Sequence, residues 1–197
     1  QVTYETLRGC PYKCTFCDIG DEYWQKIKMF DMERVKAEID WMADRKIEYV
    51  AVCDSNWGLM PRDVDITQYV IKTKQEKGYP KFWDVTWAKA NSERIYQIAM
   101  MDKQAGTRLF KGVTFAMQSL NQETLDASKR LNLKTEEALT YLHKYQKVDI
   151  PTYSELIWPM PNETYDTLKN GIQRLIELGQ KDFLMVHPLV VTFNATM

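Results

Sequence analysis

Three cysteines lie close together near the start of the chain, in the stretch RGCPYKCTFC. Cys10, Cys14 and Cys17 have the spacing Cys-x3-Cys-x2-Cys, whereas the fourth cysteine, Cys53, is remote. Thiolates are soft ligands that select zinc, copper(I) or iron–sulfur clusters. Three thiolates can hold three irons of a [4Fe–4S] cluster and leave the fourth iron open. The spacing therefore points to a metal centre with one vacant position for something that binds and reacts.

Two other metal sites fit this spacing less well. A structural zinc site takes four ligands, and Cys53, His143 and His187 are remote from the cluster of cysteines. A bacterial ferredoxin run has Cys-x2-Cys-x2-Cys-x3-Cys spacing, which this chain lacks. A non-catalytic metal-binding or electron-transfer module remains the alternative to an enzyme, and it would need a fourth protein ligand.

The bulk composition narrows the range of partners. The 197 residues are 45% hydrophobic and 27% charged, with a net charge of −1, which is ordinary for a globular domain. A charge so close to zero gives no support for binding nucleic acid or an anionic membrane. No apolar run approaches the roughly 20 residues that span a bilayer. We therefore expect no membrane association.

The termini and the cysteines indicate the compartment and the extent of the chain. The N-terminus lacks the basic and apolar regions of a signal peptide. Clustered cysteines in a chain of this size suit metal binding in a reducing cytosol better than a disulfide framework, so we expect a cytoplasmic protein. The chain starts with Gln1 just before a strand-like segment and ends at Met197 just after another. We expect a single core domain over 1–197, cut from a longer protein.

Strand-like and helical segments alternate along the chain. Strands are predicted over Val2–Arg8, Ile47–Cys53, Phe82–Trp87, Lys111–Gln118, Thr152–Trp158 and Phe183–Leu189. Helices are predicted over Asp31–Asp44, Ile66–Lys77, Ser92–Gln104, Gln122–Arg130, Glu136–Lys147 and Glu163–Leu178. Such alternation predicts an α/β fold of parallel strands, as a doubly wound sheet or as a complete or partial barrel.

Polar residues follow the predicted strands, where α/β folds place their sites. They are Asp54, Ser55, Asn56, Lys89, Asn91, Gln118, Ser119, Glu155 and His187. We expect them to outline one active-site mouth, although Asp54 and Asn56 could equally serve only the turn after their strand. Cys53 ends an apolar strand and is expected to be a buried, inert thiol. The last helix should bury Tyr165, Leu168, Ile172, Leu175 and Ile176.

The cysteine motif, with aromatic Phe16 before the last cysteine, resembles the signature of the radical S-adenosylmethionine (radical SAM) superfamily. The resemblance covers essentially the whole chain. It implies a partial (β/α)6 TIM-type barrel of parallel strands and a [4Fe–4S] cluster on Cys10, Cys14 and Cys17. S-adenosylmethionine would chelate the open iron. One electron, from a donor such as flavodoxin or ferredoxin, would cleave it to a 5′-deoxyadenosyl radical that acts on an unknown substrate, small or macromolecular.

The resemblance also implies cofactor-binding residues at the first two strands. Phe16 resembles the aromatic residue whose backbone meets the adenine. Asp54, Ser55 and Asn56 stand where many members have a Gly-Gly-Glu turn that holds the methionyl amino group. This chain departs from that turn, but Asp54 could still accept from the ammonium.

Further positions resemble the oxygen-independent coproporphyrinogen oxidase branch. In FAMQSLNQETLDASKR, Gln118 with Ser119 and Arg130 resemble residues that contact the ribose and carboxylate of the cofactor. In ELIWPMPNET, Glu155 replaces an aspartate that binds the ribose, and Pro159 replaces a glycine. Lys89 stands where that branch often has a glutamate, which reverses the charge there.

The segment SELIWPMPNETYDTL, followed by a sixth strand and NATM, also resembles radical proteins with an N-terminal cobalamin-binding domain. Such a domain would lie upstream of Gln1. Cobalamin-dependent methylation or rearrangement therefore stands beside simple hydrogen abstraction as the expected reaction.

Overall fold

The computed structural model describes residues 1–90, 92–132 and 134–197. The chain forms two compact units, which are described in turn. Unit 1 comprises Gln1–Arg8 with Lys28–Val113, and unit 2 comprises Gly9–Ile27 with Thr114–Met197. Within the described ranges, every helix is too short or too polar to cross a membrane. That 1–197 is one domain of a longer protein stays a prediction.

The described residues form eight strands and six α-helices. The strands are β1 (Val2–Tyr4), β2 (Leu7–Arg8), β3 (Lys28–Met29), β4 (Tyr49–Val52), β5 (Phe82–Asp84), β6 (Val113–Gln118), β7 (Thr152–Trp158) and β8 (Phe183–Pro188). The helices are α1 (Met32–Asp44), α2 (Arg62–Lys77), α3 (Ser92–Ala105), α4 (Gln122–Ala127), α5 (Thr135–Lys147) and α6 (Tyr165–Glu177). A short 3-10 helix spans Glu22–Trp24.

Unit 1 is built on a parallel sheet with the order β1-β4-β5. Val50 lies at the centre of this sheet, paired with Val2 on one side and Trp83 on the other. Val50 and Trp83 are fully buried, as are Val35 and Ile39 of α1. The apolar spacing along α1 therefore does what the sequence predicts and supplies part of the core.

The first predicted strand, Val2–Arg8, is wrong in its extent. β1 ends at Tyr4, and β2 forms a separate antiparallel pair with β3. The carboxylate of Asp54 accepts hydrogen bonds from the backbone amides of Thr6 (2.7 Å) and Leu7 (3.2 Å). Because a side chain takes these two donors, the sheet ladder stops there.

Helix α2 starts at Arg62, one turn before the predicted Ile66. Its first turn is polar, so apolar periodicity could not reveal it. Asp63 anchors this turn by accepting hydrogen bonds from the amides of Gly58 (2.8 Å) and Met60 (3.0 Å). Other bounds differ by up to three residues at an end: the predicted helix Gln122–Arg130 ends at Ala127, and the predicted strand Phe82–Trp87 ends at Asp84.

Unit 2 is built on a sheet with the order β6-β7-β8, in which β7 and β8 are parallel. Met117, Leu156 and Leu175 form its buried core, one residue each from β6, β7 and α6. Leu168 and Ile172 pack against this core. The predicted stripe of α6 is wrong at its two ends, because Tyr165 is 70% exposed and Ile176 is 61% exposed.

Side chains along β7 alternate between the two faces of the unit 2 sheet. Leu156 belongs to the core that packs on α6. Successive strand residues point to opposite faces, so Glu155 and Ile157 lie on the other face. His187 is the register partner of Ile157 on β8. Glu155 therefore lies on the face of this sheet opposite the core that packs on α6.

Candidate functional site

The cysteine loop is folded as two successive turns in unit 2. The amide of Cys17 donates to the carbonyl of Cys14, and the amide of Gly20 donates to the carbonyl of Cys17, both at 3.1 Å. The amide of Cys10 donates to the carbonyl of Trp24 at 2.8 Å. Cys10 and Cys14 are buried and Cys17 is half-buried, and none of the three forms a disulfide with a described residue. The loop thus holds its thiols in place by its own backbone.

Two glycines are needed for the path of this loop. Gly9 has φ of +108°, and a Cβ there would lie 2.7 Å from the carbonyl oxygens of Trp24 and Lys26. A Cβ on Gly20 would lie 2.2 Å from the carbonyl oxygen of Cys14. Real Cβ atoms do not come that close to backbone atoms, so only glycine fits at these two positions.

The loop is also tied to the rest of unit 2 by backbone hydrogen bonds at Thr15. Its amide donates to the carbonyl of Ser128 at 3.0 Å, and its carbonyl accepts from the amide of Thr196 at 2.8 Å. These bonds fix the loop against the residue after α4 and against the C-terminal segment.

The thiols interact electrostatically with one another. Burial raises the pKa of the Cys17 thiol above its ordinary value, and the charges of Cys14 and Cys10 add to the effect. Yet in residues 1–90, 92–132 and 134–197 no three His, Cys, Asp or Glu side chains converge as ligands of one metal ion. Three thiolates that each hold a different iron of a cluster need not converge on one point.

Arg130 joins the cysteine loop to β6. Its Nη1 donates to the sulfur of Cys14 at 4.0 Å, and its Nη2 donates to the carbonyl of Ala116 in β6. Its Nε donates to Oδ1 of Asn132 at 3.0 Å. The predicted contact of Arg130 is with a cofactor carboxylate. In this structure the guanidinium instead holds the end of β6 beside a cysteine.

Gln118 ends β6 in a strained conformation. Its φ is +59°, in the left-handed region that costs a side-chain-bearing residue roughly 1 kcal/mol or more. The amide of Ser119 donates back to the carbonyl of Met117 at 2.7 Å, which closes a three-residue turn around Gln118. Strain of this kind is found where a structure aims a side chain for function.

The side chain of Gln118 carries a buried acceptor. Its Oε1 is buried and accepts no hydrogen bond within the described part of the chain. Thr15 Oγ1, in the cysteine loop, is likewise buried and without a partner among those residues. A buried polar atom left without a partner costs about 1–3 kcal/mol, so such atoms need a ligand or water. Ser119 is also buried, and its Oγ accepts from the amide of Asn121 at 3.0 Å.

Glu155 and His187 face one another on β7 and β8. His187 Nε2 lies 3.9 Å from Glu155 Oε1, and both side chains are partly exposed. His187 is therefore not a buried core histidine, and its side chain is open to a ligand.

The predicted site residues of unit 1 lie in the turn after β4. Ser55 is half-buried and Asn56 is buried. Asp54 is 1% exposed, and its two oxygens already accept from Thr6 and Leu7. Burial raises the pKa of its carboxyl. Asp54 therefore holds backbone at the end of β1 with both of its oxygens.

Three more predictions of residue placement can be compared with the structure. Phe16 is half-buried within the cysteine loop. Cys53 is exposed, so the prediction of a buried thiol is wrong; β4 ends at Val52, and Cys53 still donates its amide to the carbonyl of Tyr4 in β1 at 2.7 Å while its side chain is exposed. Lys89 is half-buried after β5. Asn91 lies outside the described residues.

Asn132 is the residue of this site that sequence reasoning missed. Its Nδ2 donates to the carbonyls of Met117 (2.7 Å) and Ser119 (3.0 Å), on either side of Gln118. No pattern in the sequence marks an asparagine in a loop as a partner of a strand end fourteen residues before it.

Comparison with known proteins decides the family. The pattern of the Radical SAM superfamily matches residues 4–175 of the chain. The chain belongs to the Radical SAM superfamily. As a radical SAM protein it is assigned to a family of enzymes that use S-adenosylmethionine and a [4Fe–4S] cluster, which confirms the cofactors expected from the cysteine motif.

Two curated relatives are similar over nearly the whole chain. The 2-(S-pantetheinyl)-carbapenam-3-carboxylate methyltransferase of Streptantibioticus cattleyicolor is 35% identical over 192 residues. The cobalamin-dependent radical SAM methyltransferase TokK of Streptomyces tokunonensis is 35% identical over 194 residues. In both cases the match covers 98% of this radical SAM chain and 28% of the relative.

Solved structures of other radical SAM enzymes share the fold. TsrM from Kitasatospora setae, with cobalamin and a [4Fe–4S] cluster bound, superposes with a TM-score of 0.74 at 16% identity, over 99% of this chain and 35% of TsrM. Coproporphyrinogen III oxidase (HemN) from Escherichia coli gives 0.64 at 15% identity, over 98% of this chain and 46% of HemN. The expected fold class, an α/β partial (β/α)6 barrel of parallel strands, is confirmed by this likeness.

The residues present fit the family's cluster. Three soft thiolate donors stand on one loop, and the glycines beside them clear the backbone path. A buried acceptor that receives no hydrogen bond from the described residues stands at the end of β6, to which Arg130 ties the loop. The three thiols thus form a donor set suited to iron–sulfur chemistry.

Proposed function

We propose that Cys10, Cys14 and Cys17 hold a [4Fe–4S] cluster whose open iron binds S-adenosylmethionine for reductive cleavage. The cluster supplies the electron for that cleavage when it is bound and reduced. The observation that carries the proposal is the contact of Arg130 with both Cys14 and β6, because it places a thiol in one connected network with the end of the strand that carries Gln118.

The protein's own residues would hold and orient the cofactor. Gln118 Oε1, which receives no hydrogen bond from the described residues, would accept one from a hydroxyl or amino group of the cofactor. Glu155 would accept from the ribose hydroxyls, with His187 Nε2 beside it at 3.9 Å. Phe16 would present its backbone to the adenine. Ser119 would support the turn of Gln118 through its bond with Asn121.

In this proposal Arg130 acts on the cysteine loop rather than on the cofactor. With its guanidinium bonded to Ala116, Asn132 and Cys14, Arg130 would orient the loop and offer positive charge beside a thiolate. For Ser55 and Asn56 a cofactor role stays a prediction from the resemblance. We assign Asp54 to positioning backbone rather than to the cofactor.

We further propose that the reaction is a cobalamin-dependent methyl transfer. The support is that TokK, 35% identical to this chain, is named a cobalamin-dependent radical SAM methyltransferase. The chain spans 28% of that relative's length, so cobalamin would be bound by a domain of the same polypeptide outside this region. The substrate class is left open. An electron donor of the flavodoxin or ferredoxin type and a reducing cytosol suit a chain whose cysteines are clustered as metal ligands rather than spread as a disulfide framework.

The test is the formation of 5′-deoxyadenosine. The protein is reconstituted anaerobically with iron and sulfide, reduced, and given S-adenosylmethionine. We expect cleavage that depends on the cluster and on the reductant. Tight zinc binding with no iron would contradict this proposal and favour a non-catalytic metal-binding module.

Glu155→Gln tests the cofactor site within that assay. We expect it to keep the cluster and to weaken S-adenosylmethionine binding about ten-fold, since it removes one charge-assisted hydrogen bond. The matched control is Glu177→Gln, which alters a glutamate paired with Arg174 on the exposed side of α6. Equal binding by the two variants would remove Glu155 from the site.

A further inference from the structure

We propose that Asn132 is a positioning residue that fixes Gln118 in the conformation that binds S-adenosylmethionine. The inference rests on the proposed function, because it deepens the role given there to Gln118. Asn132 belongs to no family pattern noted in the sequence and does not itself need to touch the cofactor.

The carboxamide of Asn132 donates hydrogen bonds to the turn on both sides of Gln118. Its Nδ2 donates to the carbonyl of Met117 at 2.7 Å and to the carbonyl of Ser119 at 3.0 Å, which are the residues immediately before and after Gln118. An amide nitrogen has two hydrogens, and both are used here. The two carbonyls flanking one residue are therefore held at a fixed separation by a single side chain.

These two hydrogen bonds are needed because Gln118 would otherwise leave this conformation. A glutamine at φ of +59° is in a sparsely populated region, and it stays there only if its surroundings determine it. If the turn relaxed, the direction of the Gln118 side chain would change, and with it the place of the buried Oε1 that lacks a partner among the described residues. Asn132 therefore controls a binding atom without contacting it.

Asn132 is itself oriented by Arg130. Its Oδ1 accepts from Arg130 Nε at 3.0 Å, while Arg130 Nη1 reaches the sulfur of Cys14. This bond assigns the oxygen and nitrogen of the carboxamide, because Arg130 can only donate. The chain of contacts runs from a cysteine through Arg130 and Asn132 to the turn of Gln118.

The test is a double-mutant cycle on cofactor affinity. S-adenosylmethionine binding is measured by equilibrium dialysis and by the change that it causes in the electron paramagnetic resonance spectrum of the reduced, cluster-loaded protein. The variants are Asn132→Ala, Gln118→Ala and the double variant. We expect each single variant to bind about ten-fold more weakly, and the double variant to bind no more weakly than Gln118→Ala alone, because contacting residues that act as one unit are not additive.

A role confined to stability would give a different result. Asn132→Ala would then lower the thermal midpoint but leave affinity unchanged, or its effect would add to that of Gln118→Ala; either outcome overturns the inference. The matched control is Asn170→Ala, an exposed asparagine of α6, which should match the wild type. If Asn132→Ala does not fold, Asn132→Ser, which keeps one donor, is put through the same cycle with the same criteria.

The cycle also separates this inference from the function that it deepens. If Gln118→Ala binds S-adenosylmethionine as the wild type does, the proposed role of Gln118 fails and the inference fails with it. If Gln118→Ala weakens binding and Asn132→Ala does not, only the inference fails.

Discussion

The guanidinium of Arg130 lies 4.0 Å from the sulfur of Cys14, although the two residues are 116 positions apart in the sequence. The same guanidinium donates to the carbonyl of Ala116 in β6. One side chain therefore connects a candidate cluster ligand with the strand that ends in Gln118. As a cluster ligand the Cys14 sulfur would carry negative charge, which the guanidinium would partly offset.

Arg130→Met should weaken the hold on the cluster without removing a ligand. Methionine fills similar space but loses the positive charge and all the donors. We expect chelator-driven loss of iron to be about five- to ten-fold faster than in the wild type, as loss of a charged hydrogen bond implies. The measurement is the bleaching of cluster absorbance, with Arg174→Met, on the exposed side of α6, as control. Equal rates in the two variants would exclude this role.

Leu175 and Ile176 give a matched test of how unit 2 is packed. Leu175 is 5% exposed and belongs to the core with Met117 and Leu156, whereas Ile176 is 61% exposed. Leu175→Ala should lower the free energy of unfolding by about 2–5 kcal/mol, and Ile176→Ala by about 0.5 kcal/mol or less. Urea unfolding of both variants measures this difference. Similar losses would mean that α6 packs as its apolar pattern alone predicts.

Asp63 should make stability depend on pH in an unusual direction. Burial raises the pKa of its carboxyl from 3.8 to about 6. The folded chain therefore binds a proton more readily than the unfolded chain, so Asp63 lowers the free energy of unfolding as pH rises from about 4 to about 6. Above that window its contribution is constant.

Asp63→Asn isolates this effect, because asparagine cannot ionise but can still accept from Gly58 and Met60. The difference in unfolding free energy, variant minus wild type, should rise between pH 4 and pH 6 and then level off. Urea titrations at several pH values measure it, and Asp65→Asn, an exposed neighbour in the same turn, is the control. A difference that does not change with pH would contradict the raised pKa.

The sequence was informative where one local pattern determines the outcome. β7, predicted over Thr152–Trp158, is found with those bounds because alternating side chains mark a strand with one buried face. The cysteine spacing likewise identified the loop. By contrast, β2 and β3 have two residues each and carry no periodic signal. The early end of β1 depends on Asp54, which lies 48 positions from Thr6.

In the candidate site, too, some features follow from the sequence and others depend on distant residues. The resemblance pointed to Gln118, Arg130 and Glu155, but not to how they are held. Tertiary contacts determine the left-handed backbone conformation of Gln118 and the hydrogen bonds of Asn132 to its turn. Likewise, an apolar strand end does not reveal that Cys53 is exposed. Patterns in sequence report which face of an element is buried, whereas the partners of individual polar groups depend on residues distant in the chain.

The central claim is that Cys10, Cys14 and Cys17 are the cluster ligands, and iron content after anaerobic reconstitution tests it most directly. We predict that the wild type and Cys53→Ala bind the iron of a complete [4Fe–4S] cluster and give the same spectral change on adding S-adenosylmethionine. Alanine at any one of the three ligand positions should abolish stable cluster assembly. Full iron content in Cys14→Ala, or loss of the cluster in Cys53→Ala, would contradict the account.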